Sequence, residues 1–371
     1  MTLSAPEALS GISPQPVKIL EVATYPPPRS GWAVRIEHLK RSLEHHGHEC
    51  VVLNVGPSRT IPSTEYETVL GAGDFVRKVW RFARRGFALH AHANGDTVKG
   101  LILALITEML GLLAGQRVFL TFHAGAIQRY FPRGRNRWLI PAYWLLFTIP
   151  RRIVCNSEVV KDRIASYGIS RHKIVPIPAF SRQYLEFTPA QLPPGLDSFL
   201  QRYRHAVFAY IQMRPLFFPQ TLIEGIAKVM AERTDVGLVI SGMAGHSDEG
   251  VRPAFEAAIQ RHGIQDRLCI LDDLDHDAFL TVLQRCVLYL RTPITDGVAS
   301  SVLEALALRV PVVACENGTR PAGVVTYPPT ESAGLASAVG HVIAHRDEVV
   351  AAIPHFHVPD TVLDEVALLT R

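Results

Sequence analysis

The sequence predicts an α/β protein made of two units of similar build, each with a parallel sheet. Short apolar strand patterns alternate with helical patterns in two successive series along the chain, which is typical of parallel α/β folds. A proline-rich stretch, residues 181–204, separates the two series and is typical of a linker. The 371 residues suffice for two domains with full cores. We therefore expect two Rossmann-like domains, 1–185 and 186–356, that face a central cleft.

The first series begins with a strand over 17–23, a helix over 32–43 and a second strand over 49–53. Apolar residues of the helix recur at intervals of three and four, which predicts one buried face. The loop between the first strand and this helix lacks Gly-x-Gly-x-x-Gly, so a dinucleotide fingerprint is not supported. Further strands are predicted over 88–93, 118–122, 152–157 and 173–178.

The second series continues the alternation. Strands are predicted over 206–211, 236–242, 268–271, 287–290 and 310–314, and helices over 221–230, 253–262 and 278–285. The acidic turn 272–277 precedes the last of these helices. We interpret its carboxylates as helix caps and solvated charge rather than as metal ligands.

The most informative segment is Asp296-Gly-Val-Ala-Ser-Ser-Val-Leu-Glu304, which lies between two predicted strands. Ser301 and Glu304 have the spacing of a capping box, so a purely structural role explains Glu304. A functional interpretation is also open. Backbone amides that begin a helix behind a strand form an anion site, and carboxylates at 296 and 304 would bind hydroxyl groups on either side of it.

This segment and the Pro311-Val-Val-Ala314 strand resemble the signature of the family 4 retaining glycosyltransferases, Glu-Gly-x-Gly-x-x-x-x-Glu-Ala-x-Ala-x-Gly-x-Pro-Val-Val-Ala. Asp296, Ala299 and Arg309 replace the first Glu, the second Gly and the Gly before the strand. Thr121-Phe-His-Ala-Gly125 is similar to the family's Thr-x-His-Gly. Ser30-Gly31 stands where the family has a small residue and a glycine before its first helix.

The resemblance implies the GT-B fold, whose C-terminal helix, here about 357–371, packs back on the first domain. It implies a donor of the UDP-sugar or GDP-sugar type, which is a substrate, and no cofactor or metal. Glu304 would bind the ribose, Asp296 the sugar hydroxyls, and His123 the sugar from the first domain. The diphosphate would lie on the amides of Gly297, Val298, Ala299 and Ser300, and Gly31 would contact the donor phosphate or the acceptor.

The cations that hold the diphosphate in the family are only partly present. The family has an Arg and then a Lys after the first strand of the second domain, whereas this chain has Arg214 and no equivalent Lys. Fixed cations stabilise a diphosphate leaving group. Arg214 or Arg291 would therefore hold the diphosphate, with Arg320 as a further substitute. Alternatively, the protein binds a different donor, or it is inactive.

A purely structural role remains open for the candidates of the first domain. Gly31 is also suited to a turn, and His123 to a structural role at a strand end. His90 and His92 lie on one side of a predicted strand, but the sequence shows no acidic or cysteine partner spaced for zinc. We therefore predict no metal site.

Two stretches, 75–85 and 129–147, combine arginines with aromatic residues. They are typical either of a solvated helix face over a core or of a surface that lies on an anionic membrane. No recognition module frames them, so we predict no nucleic-acid partner.

The overall composition is that of a globular protein, with 48% hydrophobic and 19% charged residues and a net charge of +4. The five cysteines are scattered, which is typical of reduced thiols. The first sixteen residues lack the features of a secretory signal. We expect a cytoplasmic protein, for which the inner face of the membrane stays open as a location.

We therefore expect a retaining glycosyltransferase that moves a hexose-type sugar from a nucleotide sugar to a glycan, lipid-linked or small-molecule acceptor. Two alternatives stay open. One is a non-catalytic GT-B subunit that binds a glycan or supports a partner transferase, which the missing Lys favours. The other is a nucleotide-sugar epimerase, which the Glu304 segment disfavours.

Overall fold

The structure is a computed structural model that describes residues 13, 15–26, 31–95, 97–123, 137–244, 247–271, 273–294, 299–355 and 357–371. The chain forms two compact units. The first comprises Met1–Gln183 together with Pro359–Arg371, and the second comprises Tyr184–Val358.

The first unit contains a six-stranded parallel sheet in the order β2-β1-β3-β4-β5-β6. Its strands are β1 (Lys18–Ala23), β2 (Glu49–Asn54), β3 (Ala88–Ala93), β4 (Val118–Phe122), β5 (Arg152–Cys155) and β6 (Ile174–Pro176). Its helices are α1 (Gly31–His45), α2 (Ala72–Arg84), α3 (Val98–Leu113), α4 (Ile140–Thr148), α5 (Glu158–Ala165) and α13 (Thr361–Thr370).

The helices of the first unit cover both faces of its sheet. Leu39 of α1 and Val366 of α13 pack with Phe119 of β4 on one face. On the other face, Phe75 of α2 packs on β1 and β3, while α3, α4 and α5 pack on β4 and β5. Parallel sheets are normally buried on both faces in this way.

The second unit also contains a six-stranded parallel sheet, in the order β12-β11-β10-β7-β8-β9. Its strands are β7 (His205–Tyr210), β8 (Val236–Ser241), β9 (Leu268–Ile270), β10 (Leu288–Arg291), β11 (Val312–Cys315) and β12 (Val324–Tyr327). Its helices are α6 (Leu196–Arg202), α7 (Pro219–Glu232), α8 (Val251–His262), α9 (His276–Arg285), α10 (Ser300–Ala307), α11 (Ser332–Ala344) and α12 (Arg346–Ala352).

The predicted α/β class is confirmed by these two sheets, and each predicted strand is present within a few residues of its expected bounds. Neither β12 nor α11 was predicted from the sequence. β12 is a four-residue edge strand between prolines at 321 and 328, and only its last residue is fully buried. It therefore lacks the continuous apolar pattern that marks the inner strands.

Candidate functional site

In the second unit, the strand order reverses between β7 and β10. Ligands of open α/β sheets bind at the carboxyl ends of the strands where the order reverses. The chain leaves β7 toward Arg214 and leaves β10 at Arg291, and α10 begins at Ser300 in the connection from β10 to β11. Arg214, Arg291, Ala299 and Ser300 therefore belong to the edge of the sheet that topology marks as a binding edge.

The start of α10 differs from the predicted capping box. Its N-cap residue is Ala299, which makes no side-chain capping bond. Ser301 lies inside the helix, and its Oγ accepts a hydrogen bond from the hydroxyl of Tyr289 at 3.0 Å. The expected cap is wrong because the helix begins before Ser301. A methyl side chain at the N-cap cannot accept from the first amides of α10, so an anion can bind them instead.

Glu304 is buried, with 5% of its surface exposed, although it is not a cap. Its Oε1 lies 3.3 Å from Nε2 of His276. His276 is the first residue of α9, where Asp275 caps the helix by accepting from the amide of Ala278 at 2.8 Å. His276 was not predicted from the sequence, because only the packing of α9 beside α10 brings it to Glu304.

The three arginines predicted for the diphosphate have different environments. Arg291 is buried, and its guanidinium lies 5.6 Å from the ring centroid of Tyr210 and 5.4 Å from that of Phe217. Arg214 is half exposed, and its Nε lies 3.8 Å from Oδ2 of Asp248. Arg320 donates to the carbonyls of Cys315 and Pro293 at 2.8 and 2.6 Å. Arg320 thus stabilises the loops around it.

The glycine that the family signature places before the strand is Arg309 here, and its φ is +60°. This left-handed conformation favours glycine. The side chain of Arg309 donates to the carbonyl of Val350 at 2.6 Å, which ties the end of α10 to α12. Of the remaining predicted residues, Asp296, Gly297 and Val298 lie outside the described residues.

The first unit has its own reversal of strand order, between β1 and β3. His123 directly follows β4, the strand that pairs with β3, and Gly31 is the first residue of α1. The ring of Trp32, the next residue of α1, contacts the His123 ring with 3.4 Å between centroids. Gly31 and His123 are therefore close in the fold of the first unit.

A buried polar cluster extends from His123 into the sheet. Nε2 of His123 lies 2.9 Å from Nδ1 of His92, and Nε2 of His92 lies 2.7 Å from Oε2 of Glu21. Nδ1 of His90 lies 2.8 Å from the same oxygen. The expectation that no acidic partner is placed to join His90 and His92 in a zinc site is therefore wrong for Glu21, whose carboxylate contacts both rings. Glu21 is opposite His90 in the β1–β3 register, a pairing that sequence spacing does not show.

Glu21, His90 and His92 offer three ligand atoms within 4.8 Å of one another, a set that could hold a metal ion. Zinc ligands at about 2.0–2.1 Å in tetrahedral geometry lie about 3.3 Å apart. The observed separations of 2.7 and 2.8 Å are shorter than that and match charge-assisted hydrogen bonds. The geometry of this cluster is thus that of a hydrogen-bonded network.

None of the helices in the described part of the chain is both apolar and long enough to cross a bilayer. All five cysteines are free, and four of them are buried. Burial raises the pKa of Cys155 and of Cys286 to about 12, so these thiols are protonated and unreactive at neutral pH.

Comparisons with known proteins agree with this architecture. Residues 29–180 match the family Glycosyltransferase Family 4, and residues 218–327 match Glycosyl transferases group 1. Curated protein sequences include no significant match. The two family domains, one in each unit, indicate a GT-B glycosyltransferase that resembles family 4.

Solved structures with the same fold are distant in sequence. HepE of Anabaena in complex with UDP-glucose aligns with a TM-score of 0.68 at 16% identity, over 95% of this chain and 97% of that one. MnaA of S. aureus in complex with UDP aligns with a TM-score of 0.63 at 15% identity, over 94% of each chain. A glycosyltransferase from Rickettsia africae aligns with a TM-score of 0.64 at 14% identity, over 95% and 93%. These structures share the GT-B-like fold.

Proposed function

We propose that the protein is a retaining glycosyltransferase that transfers a hexose-type sugar from a UDP- or GDP-sugar to a glycan, lipid-linked or small-molecule acceptor. The observation that carries the proposal is the buried carboxylate of Glu304. It lies in the second turn of α10, at the binding edge of the sheet, and it is not used as a cap. Two glycosyltransferase family domains support the same conclusion.

In this proposal, Glu304 binds the ribose hydroxyls of the donor. His276 contacts Oε1 of Glu304, which leaves Oε2 for the ribose. A carboxylate fixed by one neighbour loses little freedom when it binds a second, so its orientation is prepared before the donor arrives. His276 is thus a positioning residue.

The diphosphate would bind the first amides of α10, at Ala299 and Ser300, with Gly297 and Val298 before them. Arg214 and Arg291 would supply positive charge. Arg291 is fixed by the rings of Tyr210 and Phe217, whereas Arg214 is on the exposed loop after β7. Two arginines of this kind would replace the missing Lys.

Asp296 would bind hydroxyls of the donor sugar, and His123 would contact the same sugar. No side chain is an evident nucleophile, so transfer would occur on the front face of the sugar. The bond between the anomeric carbon and the phosphate oxygen breaks, the acceptor oxygen bonds to the same face, and the released phosphate accepts the acceptor's proton. We propose that this front-face transfer needs neither a metal nor a cofactor.

The bound ligands of similar structures support this donor class. The HepE structure contains UDP-glucose, and the MnaA structure contains UDP. Because UDP-N-acetylglucosamine 2-epimerases also share the fold, the reaction must be tested directly. The test is incubation of the protein with UDP- and GDP-sugars, with detection of released nucleotide and of the sugar product by NMR.

If the protein is a transferase, we expect it to transfer or slowly hydrolyse the sugar of one donor with retention of the anomeric configuration. Glu304→Ala should lose this activity. The exposed Glu256 of α8 offers the matched control Glu256→Ala, which should retain activity. Interconversion of the sugar without transfer would identify an epimerase. Absence of any nucleotide response would favour the non-catalytic subunit.

We also propose a peripheral contact with an anionic membrane surface. Three neighbouring helices on one face of the first sheet expose large apolar side chains. On α2 these are Val76 and Trp80, on α3 Leu112 and Leu113, and on and before α4 Trp144 and Trp138. Arg84 lies over the Trp80 ring and Arg85 over the Phe82 ring. Residues 129–136 of the second predicted stretch lie outside the described residues.

Aromatic side chains with flanking arginines are the composition of surfaces that lie in a membrane interface. Sedimentation with anionic liposomes tests the contact. Wild-type protein should bind at low salt, and Trp80→Ser with Trp144→Ser should bind less. Ile270→Ser, at an exposed position of the second unit, should bind as wild type does. Equal binding of all three proteins would contradict the contact.

A further inference from the structure

The polar cluster of the first unit is one continuous hydrogen-bonded network between the sheet and helices α1 and α13. At its inner end, Arg35 of α1 donates from Nε and Nη2 to Oε2 of Glu365 at 2.9 and 2.6 Å. Thr121 donates from Oγ1 to Oε1 of the same carboxylate at 2.9 Å. Arg35 also donates to Thr361 Oγ1 at 2.7 Å. Arg35, Glu365 and Thr121 are buried.

The partners of His90 determine its protonation. Its Nδ1 faces the carboxylate of Glu21, and its Nε2 lies 2.7 Å from Oγ1 of Thr121. A carboxylate can only accept, so Nδ1 carries a proton. Thr121 gives its one proton to Glu365, so its Oγ1 must accept from Nε2 of His90. Both nitrogens of His90 are therefore protonated, and the ring is a cation.

Electrostatics agree with this assignment. Burial by itself would lower the pKa of His90, but the adjacent carboxylate of Glu21 outweighs burial and raises it. Burial likewise opposes ionisation of Glu21, yet the charge of His90 lowers the Glu21 pKa to about 2. Arg35 overcomes burial in the same way and lowers the pKa of Glu365. The four buried charges balance in two pairs.

The chain of donors then fixes the tautomers of the two outer histidines. Burial and the nearby charge of His90 lower the pKa of His92, so its ring is neutral. Its Nε2 carries the proton because it faces Glu21, and its Nδ1 carries a lone pair. That lone pair accepts from Nε2 of His123. Burial, together with the charge of His90, holds the pKa of His123 well below its usual value, so His123 is neutral as well.

His123 therefore presents Nδ1 as a lone pair. Among the described residues this atom is buried and has no hydrogen-bond partner. Most buried polar atoms in proteins do have a partner, so this atom is available to a ligand group as far as the described residues are concerned. A neutral acceptor can bind a hydroxyl group, but it cannot donate to a phosphate oxygen.

We propose that Glu21 and His92 are positioning residues that hold His123 in its Nε2–H tautomer, so that Nδ1 accepts a hydrogen bond from a sugar hydroxyl of the donor. This inference rests on the proposed transferase function. It assigns His123 to the sugar rather than to the diphosphate. Trp32 packs against the His123 ring and restricts its rotation.

The first test is the imidazole ¹⁵N NMR spectrum of the full-length protein labelled at histidine, without any ligand, near pH 7. Signals are assigned with His90→Gln, His92→Gln and His123→Gln. We expect two protonated nitrogens in His90, and in His92 and His123 a proton on Nε2 alone. A neutral His90, or a proton on Nδ1 of His123, would overturn the assignment.

The second test changes the hydrogen-bonded network at Glu21 and leaves His123 itself unchanged. In Glu21→Gln the side-chain amide can donate to Nε2 of His92, so the His92 proton moves to Nδ1. Nδ1 of His92 then donates to Nε2 of His123, and the His123 proton moves to its own Nδ1. We expect this shift in the spectrum and a loss of donor kcat/KM of about tenfold, the size of one hydrogen bond. Glu21→Asp keeps the charge and should recover part of the lost kcat/KM. The control Glu49→Gln, at an exposed site of β2, should have the kcat/KM of wild type.

The outcomes separate the two proposals. Wild-type protein with the expected spectrum but no donor turnover would contradict the transferase and leave the tautomer assignment supported. Active wild-type protein whose Glu21→Gln variant folds and keeps full kcat/KM would overturn the positioning role. If Glu21→Gln does not fold, the wild-type spectrum and the kcat/KM of His92→Gln, expected to fall by a similar factor, decide the question.

Discussion

Nε2 of His276 lies 3.3 Å from Oε1 of Glu304, which joins the first turn of α9 to the second turn of α10. The contact places an imidazole ring behind the carboxylate that we assign to the ribose. Neither residue is explained by capping, since Asp275 caps α9 and Ala299 precedes α10. The pair is thus free to serve a ligand.

Removal of the His276 ring should weaken nucleotide binding by loss of positioning. His276→Ala leaves Glu304 able to turn away from the ribose, and one hydrogen bond contributes about 0.5–1.5 kcal/mol. We expect the Kd of the cognate nucleotide to rise about threefold to tenfold in calorimetric titration. His262→Ala, at the exposed end of α8, is the control. An unchanged Kd in His276→Ala would rule out this role.

The two candidate diphosphate arginines should differ in their effect on stability. Arg291→Ala removes a buried cation that packs on two aromatic rings, so it should lower both donor affinity and the free energy of unfolding, the latter by about 1–2 kcal/mol. Arg214→Ala should lower donor affinity alone, because Arg214 is half exposed. Thermal unfolding with and without nucleotide, with Arg261→Ala as control, separates these effects. Donor affinity equal to wild type in both variants would show that neither arginine binds the diphosphate.

The ion pair between Arg35 and Glu365 should be important for stability of the first unit. Both side chains are almost fully buried, and removal of one partner leaves the other charge unpaired. Arg35→Met should therefore lower the free energy of unfolding by about 3–5 kcal/mol. The pair of the exposed Arg41 with Glu37 provides the comparison, because Arg41→Ala should cost less than about 1 kcal/mol. Urea titrations of the two variants measure the difference.

The same network predicts a specific dependence of stability on pH. The pKa of Glu21 is about 2 in the folded protein, below its usual 4.5, so its contribution is present above pH 4.5 and is lost as the pH falls toward 2. The lowered pKa values of His92 and His123 add a loss that starts as the pH falls below 6.5. The raised pKa of His90 acts oppositely, since its contribution is present below 6.5 and is lost at higher pH.

Urea unfolding between pH 3 and 8 tests this pH dependence. The Glu21→Gln variant should lose less stability than wild type between pH 4.5 and 3, because its side chain takes up no proton. Parallel stability curves for the two proteins across that range would contradict the assignment of Glu21 as a buried anion.

Much of the fold was predictable because the inner strands are short, apolar and separated by amphipathic helices. The strands containing His90 and Thr121 were predicted with their observed bounds. The edge strand β12 was not, since its residues are only partly buried. The prediction of a capping box at Ser301 and Glu304 was wrong, because a sequence pattern shows the spacing of a cap but not the residue at which the helix begins.

The candidate site was predictable only where its residues share one stretch of chain. Glu304 and His123 were proposed from local motifs. Glu21 and His276 come from other elements, β1 and α9, and meet their partners through strand register and helix packing. A glutamate in the middle of an apolar strand was the available signal for Glu21, because a buried charge requires a partner.

The most direct test of the central claim is calorimetric titration of wild-type protein, Glu304→Ala and Glu256→Ala with UDP and GDP. We predict saturable one-to-one binding of one of these nucleotides to wild type and to Glu256→Ala, and binding at least tenfold weaker in Glu304→Ala. Binding of equal strength in Glu304→Ala, or no binding of either nucleotide to wild type, would contradict the nucleotide-sugar site at the start of α10.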